Sequence, residues 1–333
     1  MSYHQNKSSR SFFWPVILLG AGVIWLLTNL GIIPTENLWI LFQLWPVLII
    51  MIGLDVIFSR SLPGLGALLA LLLIGGVVYI LLMGGDLALA EKPEAQTETF
   101  TVAAEETNTA SFALNLTTHP AFVNALEGSN NLIDARIGHF GNVELTVTGG
   151  EEKQITLEQT GVVGWLTWLL PEAEQELIWD VRLNPEVPFD LDVDGSTGEA
   201  ELDLSEISLE NFRFNASTGA STIIFPASSA GYEARIDGST GSIDILLPAE
   251  GNLTLQLNGS TGHIRLNVPE GAALQVEVLR GGTGDVVRPD WLMKVEGRED
   301  RDEGLYQTGG FESAEYQLVV IMEDLSMGDL VIE

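Results

Sequence analysis

Cysteine is absent from the 333 residues, so the chain can form no disulfide and no thiolate metal site. That absence does not identify a compartment, because many exported bacterial proteins also lack cysteine. Histidine is scarce, and His4, His119, His139 and His263 lie far apart. No Gly-x-Ser-x-Gly elbow, phosphate loop or metal-ligand spacing is present, so the sequence offers no catalytic residues, no metal site and no cofactor. Basic residues are few, 15 against 46 acidic, for a net charge of −31. The imbalance is uneven. Residues 1–85 carry Lys7, Arg10 and Arg60 against Glu36 and Asp55, which leaves 12 basic and 44 acidic residues for the remainder. A domain with that balance repels nucleic acid and bare anionic lipid, and nucleic-acid partners are excluded on this ground.

Charge is missing altogether from parts of the N-terminal quarter. Residues 12–33 and 62–84 carry none, and 38–58 carry only Asp55. Each run is about 20 residues, the length that matches a ~30 Å hydrocarbon core. The expectation is a multi-pass α-helical membrane region with three spans over 12–33, 38–58 and 62–84, integral to the lipid bilayer, after a cytoplasmic tail over 1–11. Trp14-Pro15-Val16 and Trp45-Pro46-Val47 look like copies at an offset of 31 residues, and the short joint Pro34–Asn37 makes them an antiparallel hairpin. Pro46 is expected to kink its helix, and glycines 20, 22, 64, 66, 75 and 76 to allow close helix approach. Asp55 is the one candidate for an intramembrane charge, and its position favours a boundary pairing with Arg60. Lys7, Arg10 and Arg60 place their loops in the cytoplasm, so three crossings would carry residue 85 onward outside. A weak cleavage motif at Ala88 and Ala90 is the alternative to retained spans.

Residues 85–98 read as a linker and 99–190 as an irregular first part of an all-β domain, with alternating stretches such as Val143, Leu145 and Val147. Inside it, Trp165, Trp168 and Leu169 form an apolar segment that would either cap the domain or dock on the membrane or a partner. From 191 to 290 a repeat takes over. Ser-Thr-Gly recurs with threonines at 197, 218, 240 and 261, and a decayed Gly282-Thr283-Gly284 follows, so the steps are 21, 22, 21 and 22. A period near twenty residues means stacked rungs, each too small to bury its own apolar face. Columns confirm the register: Val193, Phe214, Ile236 and Leu257 before the threonine, and Leu202, Ile223, Ile245 and Leu266 after it. Pro226, Pro248 and Pro269 close each rung where a missing N–H costs no ladder bond. The expected fold is a β-solenoid with 21–22-residue rungs, ending in capping strands over 291–333.

Three columns of this repeat are candidate site residues. The first is Asp194, Asn215, Asp237 and Asn258, the second Thr197, Thr218, Thr240 and Thr261, the third Gly198, Gly219, Gly241 and Gly262. An all-Asp column would set like charges opposite one another at ~4.8 Å, so alternating Asn relieves repulsion while both residue types bond turn N–H groups. Calcium is the functional rival, but carboxylates on every second rung stand too far apart to share one ion. An enzyme would need a cleft, and the turns are small and uniform. A glycan-binding module would show exposed aromatics on neighbouring rungs, where Tyr232 is the only aromatic outlier.

The two Trp-Pro-Val copies resemble the membrane region of LiaI-like and LiaF-like bacterial proteins. Asn130–Ala135, the Asp194–Gly198 rung with its copies, and the tail Tyr316, Leu318, Val320, Ile321, Met327, Gly328, Leu330 and Ile332 resemble the toast-rack β-solenoid of cell-wall-active-antibiotic-response proteins. The resemblance implies a non-enzymatic membrane-anchored regulator or scaffold of envelope-stress signalling. Its partners would be a sensor histidine kinase or another envelope-stress membrane protein, with self-association as a further expectation. The alternative is an extracytoplasmic glycan or cell-wall binding module. The resemblance and the charge pattern together place the chain in the cell membrane, multi-pass, with the β domain extracytoplasmic.

Overall fold

The computed structural model describes residues 13–333 except 39, 42–43, 59–64, 84–94, 117–119, 161–176, 299 and 326–327; it also leaves out the side chains of 13–14, 35–36, 55–58, 65–67, 196–197, 239, 260–261 and 325. The chain divides into two compact units, Met1–Pro93 and Glu94–Glu333.

The first unit is helical: α1 (Phe13–Asn29), α2 (Trp45–Phe58) and α3 (Leu65–Met83), with a 3₁₀ turn at Thr35–Leu38. The helices have 17, 14 and 19 residues, and among the described residues none is long and apolar enough to cross a membrane. The expected multi-pass fold with spans 12–33, 38–58 and 62–84 is therefore corrected. The reason is that an apolar run is not the same thing as a helix. α1 stops at Asn29, and Gly31 then turns the chain at φ 71°. Residues 40–41 are already helical, with Leu44 N donating to the Ile40 carbonyl at 3.1 Å, and α2 itself starts at Trp45, where Pro46 lacks an N–H and fits the first turn. Pro46 thus starts a helix rather than kinking one, and Pro15 stands likewise near the start of α1. Apolar character persists all round: Leu18, Leu19, Trp25, Leu71 and Tyr79 are exposed. α3 packs against both α1 and α2. Of the described glycines in these helices only Gly20 meets a neighbour, the Ile74 side chain, so close approach depends on that residue alone. Asn37 is buried, and its Nδ2 donates to the Leu81 carbonyl at 2.7 Å.

The second unit is a stack of two-sided rungs. Long strands β10 (Leu209–Ile224), β11 (Tyr232–Leu246) and β12 (Leu253–Asn267) each run through a Ser-Thr-Gly corner, so one strand serves both rows of the stack. Their pairing is parallel and in register: Thr218 lies beside Thr240, and Thr240 beside Thr261. In the first row β8 (Phe189–Thr197) precedes them, next to β2 (Thr109–Leu116), β6 (Glu152–Thr160) and the edge strand β5 (Asn142–Gly149). In the second row β9 (Ala200–Asp203) precedes them, next to β3 (Ala121–Ala125), β7 (Trp179–Leu183), β4 (Asn131–His139) and the edge strand β1 (Gln96–Ala103). β1 starts inside the segment read as a linker. Alternate residues point inward, as a pleated strand requires, and Phe112, Leu191, Phe212, Ala234, Leu255 and Val320 form one of the buried files.

The stack does not follow chain order at its ends. β17 (Leu318–Leu325) pairs with β12 on one side and β13 (Leu274–Val278) on the other, both in parallel. β18 (Leu330–Ile332) likewise lies between β12 and β14 (Val286–Val287). Within 291–333, expected to be capping strands, residues 318–325 and 330–332 form the penultimate rung, and the decayed Gly282-Thr283-Gly284 copy lies outside it. At the other end β2 and β3 sit between β6–β7 and β8–β9, so the same exchange occurs there. β16 (Gly304–Thr308) and β15 (Leu292–Glu296) extend the first row antiparallel beyond β13.

The corner glycines explain the repeat. Gly198, Gly219, Gly241 and Gly262 have φ of 141°, 132°, 139° and 146°, in the region that favours glycine. A Cβ on Gly219, Gly241 or Gly262 would fall onto the carbonyl oxygen of the preceding corner glycine. Gly328 stands in the same way on Gly262, and Gly284 on Gly328, which repeats the strand order found in the ladder. Backbone cannot yield as a flexible side chain can. We expect Gly241→Ala to cost about 3 kcal/mol or more, read as a lowered urea midpoint, whereas Gly309→Ala, in open space, should change it little.

Candidate functional site: the polar ladder

The outward residue just before each corner forms a file along the first row. Asp194, Asn215, Asp237 and Asn258 lie in register on β8, β10, β11 and β12. Asn215 Nδ2 donates to Asp194 Oδ1 at 2.5 Å, and Asn258 Nδ2 to Asp237 Oδ1 at 3.1 Å. Each amide thus reaches along the stack to a carboxylate on the neighbouring rung, not to a turn N–H, and charge-assisted bonds of this kind are the stronger ones. Two files over, Asn211 Nδ2 donates to Asp190 Oδ1 at 2.6 Å. The ladder is longer than the sequence repeat. Asn115 on β2, Glu158 on β6 and Glu144 on β5 continue it at one end, and Asp324 on β17 at the other. At the far end Arg280 lies 3.9 Å from Asp324.

Beside the ladder runs a file of mixed charge. Arg235 is its hub: it holds Asp237 through Nε at 2.8 Å and Nη2 at 3.0 Å, Gln256 at 3.0 Å, and Glu323 through Nη1 at 2.9 Å and Nη2 at 3.0 Å. Bonds to Glu323 and Asp237 hold the Arg235 guanidinium above its ordinary pKa. Glu323 falls at the register shift of β17 against β12, so the irregularity turns a carboxylate across β12 and ties the inserted strand to β11. Arg213 lies 3.7 Å from Asp192. Burial first, and Asp194 second, push the Asp192 carboxyl above the usual range, with Arg213 opposing them.

The threonines of the corners, 197, 218, 240 and 261, lie in backbone register, and the side chains of Thr218 and Thr240 are exposed. Together with Gly198, Gly219, Gly241 and Gly262 they make a narrow rim beside the ladder. Trp165, Trp168 and Leu169 lie outside the described residues. Tyr232 is buried, with its hydroxyl donating to the Pro226 carbonyl at 2.9 Å, so it is a core residue and not the exposed aromatic the sequence reading took it for. Among the described residues no group of three or more histidines and carboxylates is arranged to hold a metal. Asn215 directs an amide donor onto Asp194 Oδ1, an oxygen for which a cation would have to compete. What this surface can do is present a rigid, hydrogen-bonded row of alternating charge and amide to another macromolecule. The sequence carried a signal for the missed rung: aligned on Gly328, Asp324, Leu330 and Ile332 fall on the columns of Asn258, Ile264 and Leu266, but Met327 replaces the threonine and one residue is inserted at Glu323.

Residues 12–57 match the family described as the LiaI-LiaF-like transmembrane region, and residues 91–246 match the N-terminal domain of toast_rack. The chain joins a LiaI-LiaF-like region to a toast-rack domain. Its association with the membrane follows from the first of these. No curated protein matches. A proposed cell adhesion protein from Clostridium sporogenes aligns over 72% of this chain and 99% of its own, at 15% identity and a TM-score of 0.48. A proposed adhesin from Bacteroides fragilis aligns over 73% and 98%, at 9% identity and a TM-score of 0.26.

The mixed-charge file beside the toast-rack ladder predicts a pH effect with a definite sign. A carboxyl whose folded pKa lies above its unfolded value favours the fold when protonated, and that advantage is lost as pH rises through the folded pKa. Asp192→Asn should therefore raise the denaturation midpoint at neutral pH and leave it unchanged well below the ordinary carboxylate pKa of about 3.9. An equal gain at both pH values would contradict this reading.

Proposed function

We propose that this chain is a non-enzymatic, membrane-associated regulator or scaffold of bacterial envelope-stress signalling, in which the toast-rack domain is the protein-interaction surface. The observation that carries the proposal is the join of a LiaI-LiaF-like region to a stack whose outward first row is pre-organised. Asn-to-Asp bonds and the Arg235 hub fix side chains that would otherwise lose rotamer freedom on binding. The partner that suits this surface is a membrane-proximal segment of a sensor histidine kinase, or of another envelope-stress membrane protein, bearing basic residues to meet the file of carboxylates. The β domain lies on the side of the membrane opposite Lys7 and Arg10. Its 44 acidic residues, counted from residue 86 on, against 12 basic ones are repelled by the anionic cytoplasmic leaflet that attracts those two cations.

One observation supports the second reading, a tethered cell-wall glycan module. Trp291 is 43% exposed on the wall of a cleft of about 530 Å³. Pro269, Glu270, Thr308 and Glu333 also line that cleft, which offers one aromatic face with acceptors around it.

The two readings separate in one strain set. With a chromosomal envelope-stress reporter, removing the chain should change basal output several-fold, and Arg235→Glu with Asp194→Lys should reproduce that change while Trp291→Ala does not. If instead Trp291→Ala alone removes co-sedimentation with purified sacculi and the reporter never responds, the glycan reading stands and regulation fails. Ser229 is exposed in a corner loop. In a chain with no native cysteine, Ser229→Cys should react with an impermeant maleimide in intact cells and Ser8→Cys only after lysis; the reverse pattern puts the β domain in the cytoplasm.

A further inference from the structure

The geometry points to head-to-tail stacking of the toast-rack domain with a second copy of this chain, β15 of one copy pairing antiparallel with β5 of the next. This goes beyond the regulatory reading and does not depend on it. Among the described residues both strands are edges of the same row. Among the described residues β15 pairs only with β16, and β5 only with β6. An edge strand offers a line of unpaired N–H and C=O groups to another chain.

Direction permits the match. β5 runs antiparallel to β6 and hence against the stack. β16 runs antiparallel to β13, and β15 antiparallel to β16, so β15 runs with the stack. A copy translated along the stack therefore brings its β5 to β15 in the antiparallel sense.

Register permits it too. Followed across the row strand by strand, Glu296 at one end is level with Thr146 at the other. Two residues further on, Glu144 stands at the level of the ladder, while Arg298 lies just past the end of β15, beyond Gly297 at φ 108°. Within one copy Glu144 stands directly opposite Glu158, a like-charge pair that destabilises the edge, whereas each ladder carboxylate from Asp194 to Asp237 has an asparagine beside it. Continuation of the sheet would bring the exposed turn that carries Arg298 in one copy beside the β5 edge and Glu144 of the next. Arg298 is well exposed and pairs with Asp300, also exposed, at 3.0 Å.

The guard on the β15 edge is the register shift between Lys294 and Glu296. A lysine on an edge strand normally blocks such pairing. Here Lys294 turns inward: its Nζ donates to the carbonyls of Arg298 at 2.8 Å and of Arg301, and stands 5.1 Å from the Tyr306 ring centre. Exposed on the strand are Met293 and Val295, at 53% and 49%, with Glu296 beside them. At the other edge Val147 is 42% exposed. Because the two surfaces differ, the contact does not close on itself and propagates as a linear array.

The test uses the full chain in native membranes, with no cysteine to remove. Facing residues in an antiparallel pair stand within disulfide reach. Thr146→Cys and Glu296→Cys, expressed as separate chains together, should give an oxidised heterodimer, and both changes in one chain should give a ladder of multimers on a non-reducing gel. Arg298→Glu should abolish the ladder, and Glu144→Arg added to it should restore it. Dimers from Glu296→Cys alone would mean back-to-back pairing and overturn the proposal. So would the absence of any heterodimer, or a ladder indifferent to Arg298→Glu. Sedimentation velocity of the unsubstituted, detergent-extracted chain provides a second readout. A sedimentation coefficient rising with concentration is expected, and a constant monomer value would sink the idea even if the variants fold poorly.

Discussion

Glycine packed on backbone at the rung corner is the contact on which the rest of this domain depends. Rungs in a parallel stack must repeat at the strand spacing of ~4.8 Å. A corner that also carries the chain from one row to the other brings main chain directly over main chain. Only a residue without a Cβ, and free to take φ near 140°, satisfies both demands at Gly219, Gly241 and Gly262. Once the corners coincide, the inward files align, Phe214 on Ile236 on Leu257, and the outward files align with them. The polar ladder follows from the corner in this sense: Asn215 meets Asp194 because Gly219 meets Gly198.

Much of this was legible in the residues themselves. The spacing of the threonines gave the rung length, and the columns around them gave the inward files. What escaped was any feature in which chain order and spatial order part. Gly284 was read as the neighbour of Gly262 because it comes next in the sequence, but Gly328 lies between them. A methionine in the threonine position and one inserted residue at Glu323 concealed that rung, and the inserted residue is the one Arg235 holds. Asn115 and Glu158 escaped for a similar reason: their rungs are assembled from strands without a Ser-Thr-Gly corner. Tyr232 was misplaced because its file holds Leu253 and Leu318, which its own local polar context did not reveal.

In the helical unit the sequence misled through composition. Uncharged letters run on past Asn29 and begin before Trp45, whereas the regular helices α1 and α2 stop and start at those residues. Proline and glycine, placed at Pro46 and Gly31, set the helix limits more firmly than hydropathy did. The repeated Trp-Pro-Val is thus a helix-start signal as much as a membrane one, and it occurs inside the part of the chain that matches a LiaI-LiaF-like region.

The inserted rung has a temporal consequence. β13 can be neither ladder-paired to the stack nor sealed against it until β17 arrives, roughly 40 residues later. At synthesis rates of 5–20 residues per second that interval is about 2–8 s. During it the nascent chain holds open the edge of β12, with the apolar files of six earlier rungs exposed behind it. A chain cut short anywhere between Val278 and Leu318 never closes that gap and remains marked as unfinished for chaperones and proteases. The core is therefore closed only once β17 and β18 have been made.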